Sequence, residues 1–329
     1  MFANATYDSP KAAPMWAAFF LLATLLLTGC SAPPQYAYVT NQLSDNVSVV
    51  DLQSREVKYT ITVGAAPAGV AQSHDGSQVF ISNADSQDIS FIDTTLMQES
   101  YRLKVGDGPV GIASNADGSL LYVADWYQHQ ISVIDTQQKT IVNRIATGKS
   151  PAGIIIDDAN QRLFVANRDD NSVTIIDLES QQAVADIAVG KAPFGVALNQ
   201  DGSRLYTVNV QDNSVSVIDT AQQKTIETIE VGEWPYCAVL SPDDRFLYVT
   251  NQDESTVSKI DLNSFKVTAV IDVDDTPEGI DISANGRYLY VANWGSGQLS
   301  VIDTRTDKLI ENIATAEGSR AFGDFIAGP

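Results

Sequence analysis

The sequence predicts an all-β protein, a seven-bladed β-propeller with four antiparallel strands per blade, and three observations lead there. The stretch from Tyr38 to Leu52, "YVTNQLSDNVSVVDL", returns six more times in variants such as "FVANRDDNSVTIIDL" and "YVANWGSGQLSVIDT". The step between copies is constant: Pro67, Pro109, Pro151, Pro193, Pro235 and Pro277 are 42 residues apart, as are Asn41, Asn83, Asp125, Asn167, Asn209, Asn251 and Asn293. Each period reads as four short strands without helical patterning, and four strands in roughly 40–45 residues is the size of a propeller blade.

The first segment stands outside this repeat. Residues 16 to 27, "WAAFFLLATLLL", form an apolar run of 12. That is too short for a membrane helix, which needs about 20 residues, and fits the apolar region of a secretory signal peptide. Residues 1–29 are therefore read as a signal peptide, with Met15 as an alternative start. "LTGCS" resembles the bacterial lipobox, which implies cleavage before Cys30, a lipid on its thiol and, with Ser31 following, the outer membrane as destination. Residues 30–35 then form the lipidated Cys and a short tether. Each buried acyl CH₂ contributes about 0.8 kcal/mol, so a multiply acylated Cys30 anchors durably.

Residues 36–329 make the propeller, 294 residues or seven whole periods. In the unit after Pro109, "VGIASN" is strand A, "LYVAD" strand B, "ISVIDT" strand C and "IVNRIAT" strand D. Strands B and C are rich in Val, Ile and Tyr with period-2 alternation. Asp75-Gly76, Asp117-Gly118, Asp201-Gly202 and Asn285-Gly286 mark the A–B hairpins with residues that accept positive φ. A repeated Asp (Asp51, Asp93, Asp135, Asp177, Asp219, Asp261, Asp303) ends strand C, where its carboxylate can accept N–H bonds from the C–D turn. The repeat region enters at a strand B and finishes with "SRAFGDFIAGP" at a strand A position, so the C-terminal strand is expected to close the ring as the innermost strand of the first blade.

"YVTN", "YVAN", "SVIDT" and the Gly–Pro–Gly spacing resemble the YVTN-family β-propeller repeat over nearly all of 36–329, and "RAFGDFI" is similar to the closing segment of bacterial members. The resemblance implies an exported or surface-located propeller whose hallmark positions, 40, 41 and 64, are structural. The pattern lapses at Asp125, Asn160, Cys237, Asp274, Ala316, Ser319 and Ala321.

Composition narrows the partners. Lys plus Arg total 20 against 41 Asp plus Glu, a net charge of −21. Such a field repels phosphate backbones and anionic lipid, which argues against nucleic acid and leaves the lipid anchor as the membrane contact. Cys30 and Cys237 are the two cysteines, so the mature propeller has no internal disulfide and is expected to be a monomer held by packing.

The repeats differ most where the B–C and D–A loops meet, on one face of the ring. Trp126 and Trp294 follow the repeated Asn/Asp, and Trp234 precedes Pro235. The residue after the Pro position also varies: Ala68, Val110, Ala152, Phe194, Tyr236, Glu278 and Arg320. With Tyr127, His129 and Arg168 these are expected to form an aromatic collar at the channel mouth, fit for an envelope protein, peptide, glycan or small molecule. The alternative for each Trp is packing against a neighbouring blade. A propeller enzyme of lactonase or lyase type would use Arg168, His129, Glu278 and Arg320; an accessory role beside an envelope redox enzyme is a further alternative. The sequence calls for no cofactor or metal. The pairs Asp157-Asp158, Asp169-Asp170, Asp243-Asp244 and Asp274-Asp275 lack calcium-loop spacing, His74 belongs to a hairpin turn, and Cys237 reads as a small buried residue.

Overall fold

The computed structural model describes residues 1–6, 8, 35–73 and 75–326. The apolar leader run, Cys30, most of the tether and His74 lie outside the described residues. The chain divides into Met1–Pro33 and Pro34–Pro329, and in the first unit the described residues carry no regular element.

The second unit is a ring of seven sheets. Blade 2 shows the pattern, with strands A to D at Pro67–Gln72, Gln78–Asn83, Asp88–Asp93 and Gln98–Lys104, each antiparallel to the next. Blades 3 to 7 repeat it, their inner A strands being Pro109–Ser114, Pro151–Asp157, Pro193–Leu198, Pro235–Leu240 and Pro277–Ile282. Blade 1 supplies strands B, C and D at Tyr36–Asn41, Asn46–Asp51 and Glu56–Thr62. Among the described residues the one helical element is a 3₁₀ turn, Arg168–Asp170.

Burial follows from position in the blade. Both faces of strands B and C lie against neighbouring blades, so these strands are buried almost throughout, whereas the outer D strands are largely exposed and most bury one Ile near their end. The core runs from blade to blade: Tyr290 and Leu299 of blade 7 pack with Val39 and Val49 of blade 1. Burying each such side chain contributes about 1.5–3 kcal/mol.

The hallmark Asn at the end of strand B is fully buried and ties the blade's corner. Asn41 Nδ2 donates to Asn46 and Ser48, Asn251 to Thr256 and Ser258, and Asn209 to Ser214 and Ser216, all at 2.8–3.0 Å. Asp125 departs from the pattern with a physical purpose. Its carboxylate accepts N–H bonds from Asp107, Gly108, Tyr127 and Gln128 at 2.9–3.2 Å, work that an amide with one acceptor oxygen does poorly. The repeated Asp of strand C does cap its turn, as at Asp51 with Gln53 and Ser54 and at Asp135 with Gln137 and Gln138. In the A–B hairpins Gly76, Gly118, Gly202 and Gly286 take φ of 66–71°, and Asp244 fills the same place at 53°.

Ring closure differs from the expected regular strand. The C-terminal segment does run antiparallel beside strand B of blade 1: Asn41 bridges Ser319, Ala37 bridges Ile326, and Tyr38 N–H donates to the Phe325 carbonyl at 2.8 Å. In blade 2, Gln72 faces Val79, and the 42-residue period would set Asp324 opposite Ala37. Ile326 stands there instead, so two extra residues bulge inward. The bulge carries the short strand Phe322–Gly323, which pairs parallel with strand A of blade 2 and ties the closing segment to both sides of the seam.

Candidate functional site

B–C and D–A loops interlock on one face, each B–C loop donating a backbone N–H to the D–A loop beside it, as Trp126 does to the Gly108 carbonyl at 2.9 Å and Gln252 to that of Trp234 at 3.0 Å. All three propeller Trp residues lie here, but in different roles. Trp294 donates its indole N–H to the Gln42 side chain at 2.9 Å, a clamp from blade 7 to blade 1. Trp126 is half-buried, with the Arg168 guanidinium 5.8 Å from its ring and Phe194 beneath at 6.4 Å. Trp234 is 39% exposed and Tyr127 68%.

Trp234 also sits in the left-handed backbone region, φ 54°, where a side chain with a Cβ costs about 1–2 kcal/mol. The loop imposes this conformation, because Ala66, Ser150, Ala192 and Thr276 adopt it at the same repeat position. The N–H of that residue is held by the fourth residue of the preceding B–C turn: Asp45 Oδ1 accepts from Ala66, Asn171 Oδ1 from Ala192 and Asn213 Oδ1 from Trp234, at 2.9–3.0 Å. His129 fills the same role in its turn, its Nδ1 accepting from Ser150 N–H at 3.0 Å. It is a loop-fixing acceptor, with Nε2 left to carry the ring proton.

The residues after the Pro positions meet at the channel, where they form a plug. Ala68, Ala152, Phe194 and Glu278 are buried. Phe194, Tyr236 and Phe322 stack with centroids 4.2–5.5 Å apart. Arg320 binds Glu278 through Nε and Nη2, the second bond at 3.0 Å, and Gln252 Nε2 donates to the same carboxylate at 2.9 Å. The Arg320 guanidinium lies 4.9 Å from the Phe322 ring. Burial works against its charge, but the Glu278 carboxylate prevails and holds it firmly protonated. Burial raises the Tyr236 hydroxyl and the Cys237 thiol well above their ordinary values, so both stay neutral and Cys237 is no nucleophile. The residues expected to form a collar at the channel mouth thus pack largely into this plug, and the accessible candidates are Trp234, Tyr127 and the Arg168 edge.

Beyond the plug the channel widens into a lumen of about 500 Å³. Its walls are the A strands, with Ile112, Ile154, Val196 and Ile280 among them, and its lining extends into the A–B hairpins at Asp158, Gln200 and Asp244. Sequence reasoning centred on the loop face passed over two of its side chains. Asp281 interrupts a column occupied elsewhere by Ala71, Ala113, Ile155, Ala197 and Val239, and Asp324 stands on the closing bulge. Burial and the neighbouring Asp324 push the Asp281 carboxyl up to about 8, and burial raises Asp324 as well. Asp281 accepts N–H bonds from Ile282 and from Ile326 of the closing segment at 2.7 and 2.9 Å.

These features define a closed seven-bladed propeller with a plugged channel, an aromatic loop face on one side and an acidic lumen on the other. The chain belongs to the virginiamycin B lyase family, whose sequence model matches residues 29–302. Among solved structures it is similar to Kuenenia stuttgartiensis hydrazine synthase, at 24% identity and a TM-score of 0.72, over 78% of this chain and 88% of that one. It is also similar to a functionally unknown protein from Desulfotomaculum acetoxidans, at 17% identity and a TM-score of 0.78, over 89% and 98%. At these identities the likeness speaks for the fold. No curated protein sequence matches the chain.

Proposed function

We propose that the chain is an exported, lipid-anchored binding module of the bacterial cell envelope, held at the outer membrane through Cys30, which captures a protein, peptide, glycan or small molecule on its B–C and D–A loop face without transforming it. The observation that carries this reading is Trp234. A large aromatic is kept exposed at a left-handed position where the other repeats place Ala, Gly, Ser or Thr, and strain of this kind gathers at recognition sites. Tyr127 adds a second exposed ring to the same face.

The family's name brings a lyase reading, for which Glu278, Arg320 and His129 would be the acid–base groups. Glu278 is bound by both Arg320 and Gln252, and His129 Nδ1 by a backbone N–H, so these groups are engaged in holding the scaffold. This favours binding over turnover. The test is affinity capture from envelope extracts with the wild-type protein and a Trp234→Ala/Tyr127→Ala variant of unchanged circular dichroism. A partner that is lost with the variant supports the reading; a partner retained at wild-type yield removes the loop face from it.

A further inference from the structure

We propose that the lumen at the opposite end of the channel is a second binding site, for a small organic cation: an ammonium group carried on an apolar body. Its size comes first. About 500 Å³ lies within the range of small-molecule sites, roughly 300–1,000 Å³, and apolar strand A side chains line much of it. At its inner end stand Phe194 and Phe322, members of the plug, which offer aromatic carbon and ring faces to a cation or its body.

Charge supplies the second argument. The lining includes the carboxylates of Asp158, Asp244, Asp281 and Asp324 and, among the described residues, no Lys, Arg or His. Elsewhere Asp125 is held by four backbone N–H groups, and some buried carboxylates take basic partners, as Asp157 does with Arg162 and Glu278 with Arg320. In the lumen no described residue plays that part. The Asp324 carboxylate accepts no hydrogen bond from a described side chain or backbone group; Gln72 bonds its main-chain carbonyl instead. Asp324 is exposed and belongs to the lining of the lumen. Its neighbour Asp281 is held by the Ile326 N–H, so the pair is presented on a fixed wall.

The donor set selects an organic cation over a metal ion. Among the described residues no group of three His, Cys, Asp or Glu side chains is gathered closely enough to hold a metal. Asp281 keeps its proton up to about pH 8, so Asp324 carries the charge of the pair and Asp281 adds acceptor oxygens, a set that suits an ammonium, which needs only hydrogen-bond acceptors and charge on one side and tolerates apolar contact on the other.

The site is tested by isothermal titration of the whole propeller chain with benzylamine, its neutral isostere benzyl alcohol, and calcium chloride, at about 0.15 M salt so that charge on the outer surface is screened. Benzylamine is expected to bind one equivalent at least tenfold more tightly than benzyl alcohol, with calcium weaker than either. Asp324→Asn is expected to abolish the difference between amine and alcohol while Trp234→Ala leaves it intact. Equal binding of amine and alcohol, or no binding of either, overturns the proposal on the wild-type protein alone, whatever the variants do. Tighter calcium binding assigns the lumen to an inorganic cation, and a preference that survives Asp324→Asn places the amine elsewhere; both overturn it.

Discussion

Arg320→Met should be among the most damaging single substitutions in the propeller. Arg320 belongs to the closing segment and Glu278 to blade 7, so their ion pair crosses the seam at which the ring is shut. The Glu278 side chain is 5% exposed and that of Arg320 19%. Removing the guanidinium leaves a buried carboxylate with the Gln252 amide as its remaining side-chain partner. Breaking a buried pair from one side costs about 3–5 kcal/mol, a large share of the roughly 5–15 kcal/mol by which domains are stable. Replacing both partners is milder, because the equivalent positions in other blades hold Ala, Val, Phe and Tyr. Glu278→Met/Arg320→Met should therefore recover most of the loss. Urea unfolding followed by Trp fluorescence and far-UV circular dichroism gives both values. The reasoning fails if Arg320→Met lies within about 1 kcal/mol of wild type, or if the double variant is as unstable as the single one.

Deleting residues 319–329 removes this pair together with the Tyr38–Phe325 and Arg320–Thr40 backbone bonds; Tm should fall by at least about 10 °C, and an unchanged Tm would refute closure by this segment. Asp281 makes stability depend on pH. Its carboxyl is raised from 3.8 to about 8, so the folded chain holds a proton there that the unfolded chain releases. Its contribution is complete below about pH 4 and is lost as pH rises to about 8, the reverse of the depressed carboxylates, whose effect falls at lower pH. The urea midpoint of Asp281→Asn relative to wild type should rise between pH 5 and 8.5, and parallel midpoints across that range would count against it. Trp234→Gly should be about 1 kcal/mol more stable than Trp234→Ala, because φ at that position is 54°; equal stability would show that the loop relaxes when the ring is removed.

The repeat made most of the fold legible. A constant step of 42, turn residues at fixed offsets and a terminal strand A segment lead to seven blades without any helix, and Asp125 was visible as a departure before its four N–H donors were known. The inner chemistry was harder to read, because contacts around the channel join residues a whole period apart. Glu278 and Arg320 differ by 42, and opposite charges at one repeat position of successive blades were the available signal for their pairing. Asp281 and Asp324 differ by 43, so the regular period does not set them at one level, and Asp324 sits on the irregular closing segment, where the period no longer holds. His129 resembled an isolated functional His because its role is shared with Asp45, Asn171 and Asn213, residues whose chemistry overlaps with imidazole only in one acceptor atom.

A ring of identical units makes each step along strand A a level of seven side chains. The level that begins at Ala68 forms the plug, and the level that begins at Ala71 borders the lumen, so a departure in one level alters one height of the channel and leaves the others on the common scaffold. Phe194, Tyr236 and Phe322 pack on one another between the loop face and the lumen. Two recognition surfaces can therefore coexist on one small domain without sharing residues. Substitutions at Trp234 and Asp324 should accordingly be additive within about 0.5 kcal/mol in both stability and binding. A larger coupling between them would mean that the plug transmits strain between the two ends, and that the propeller responds as one body to whatever occupies either of them.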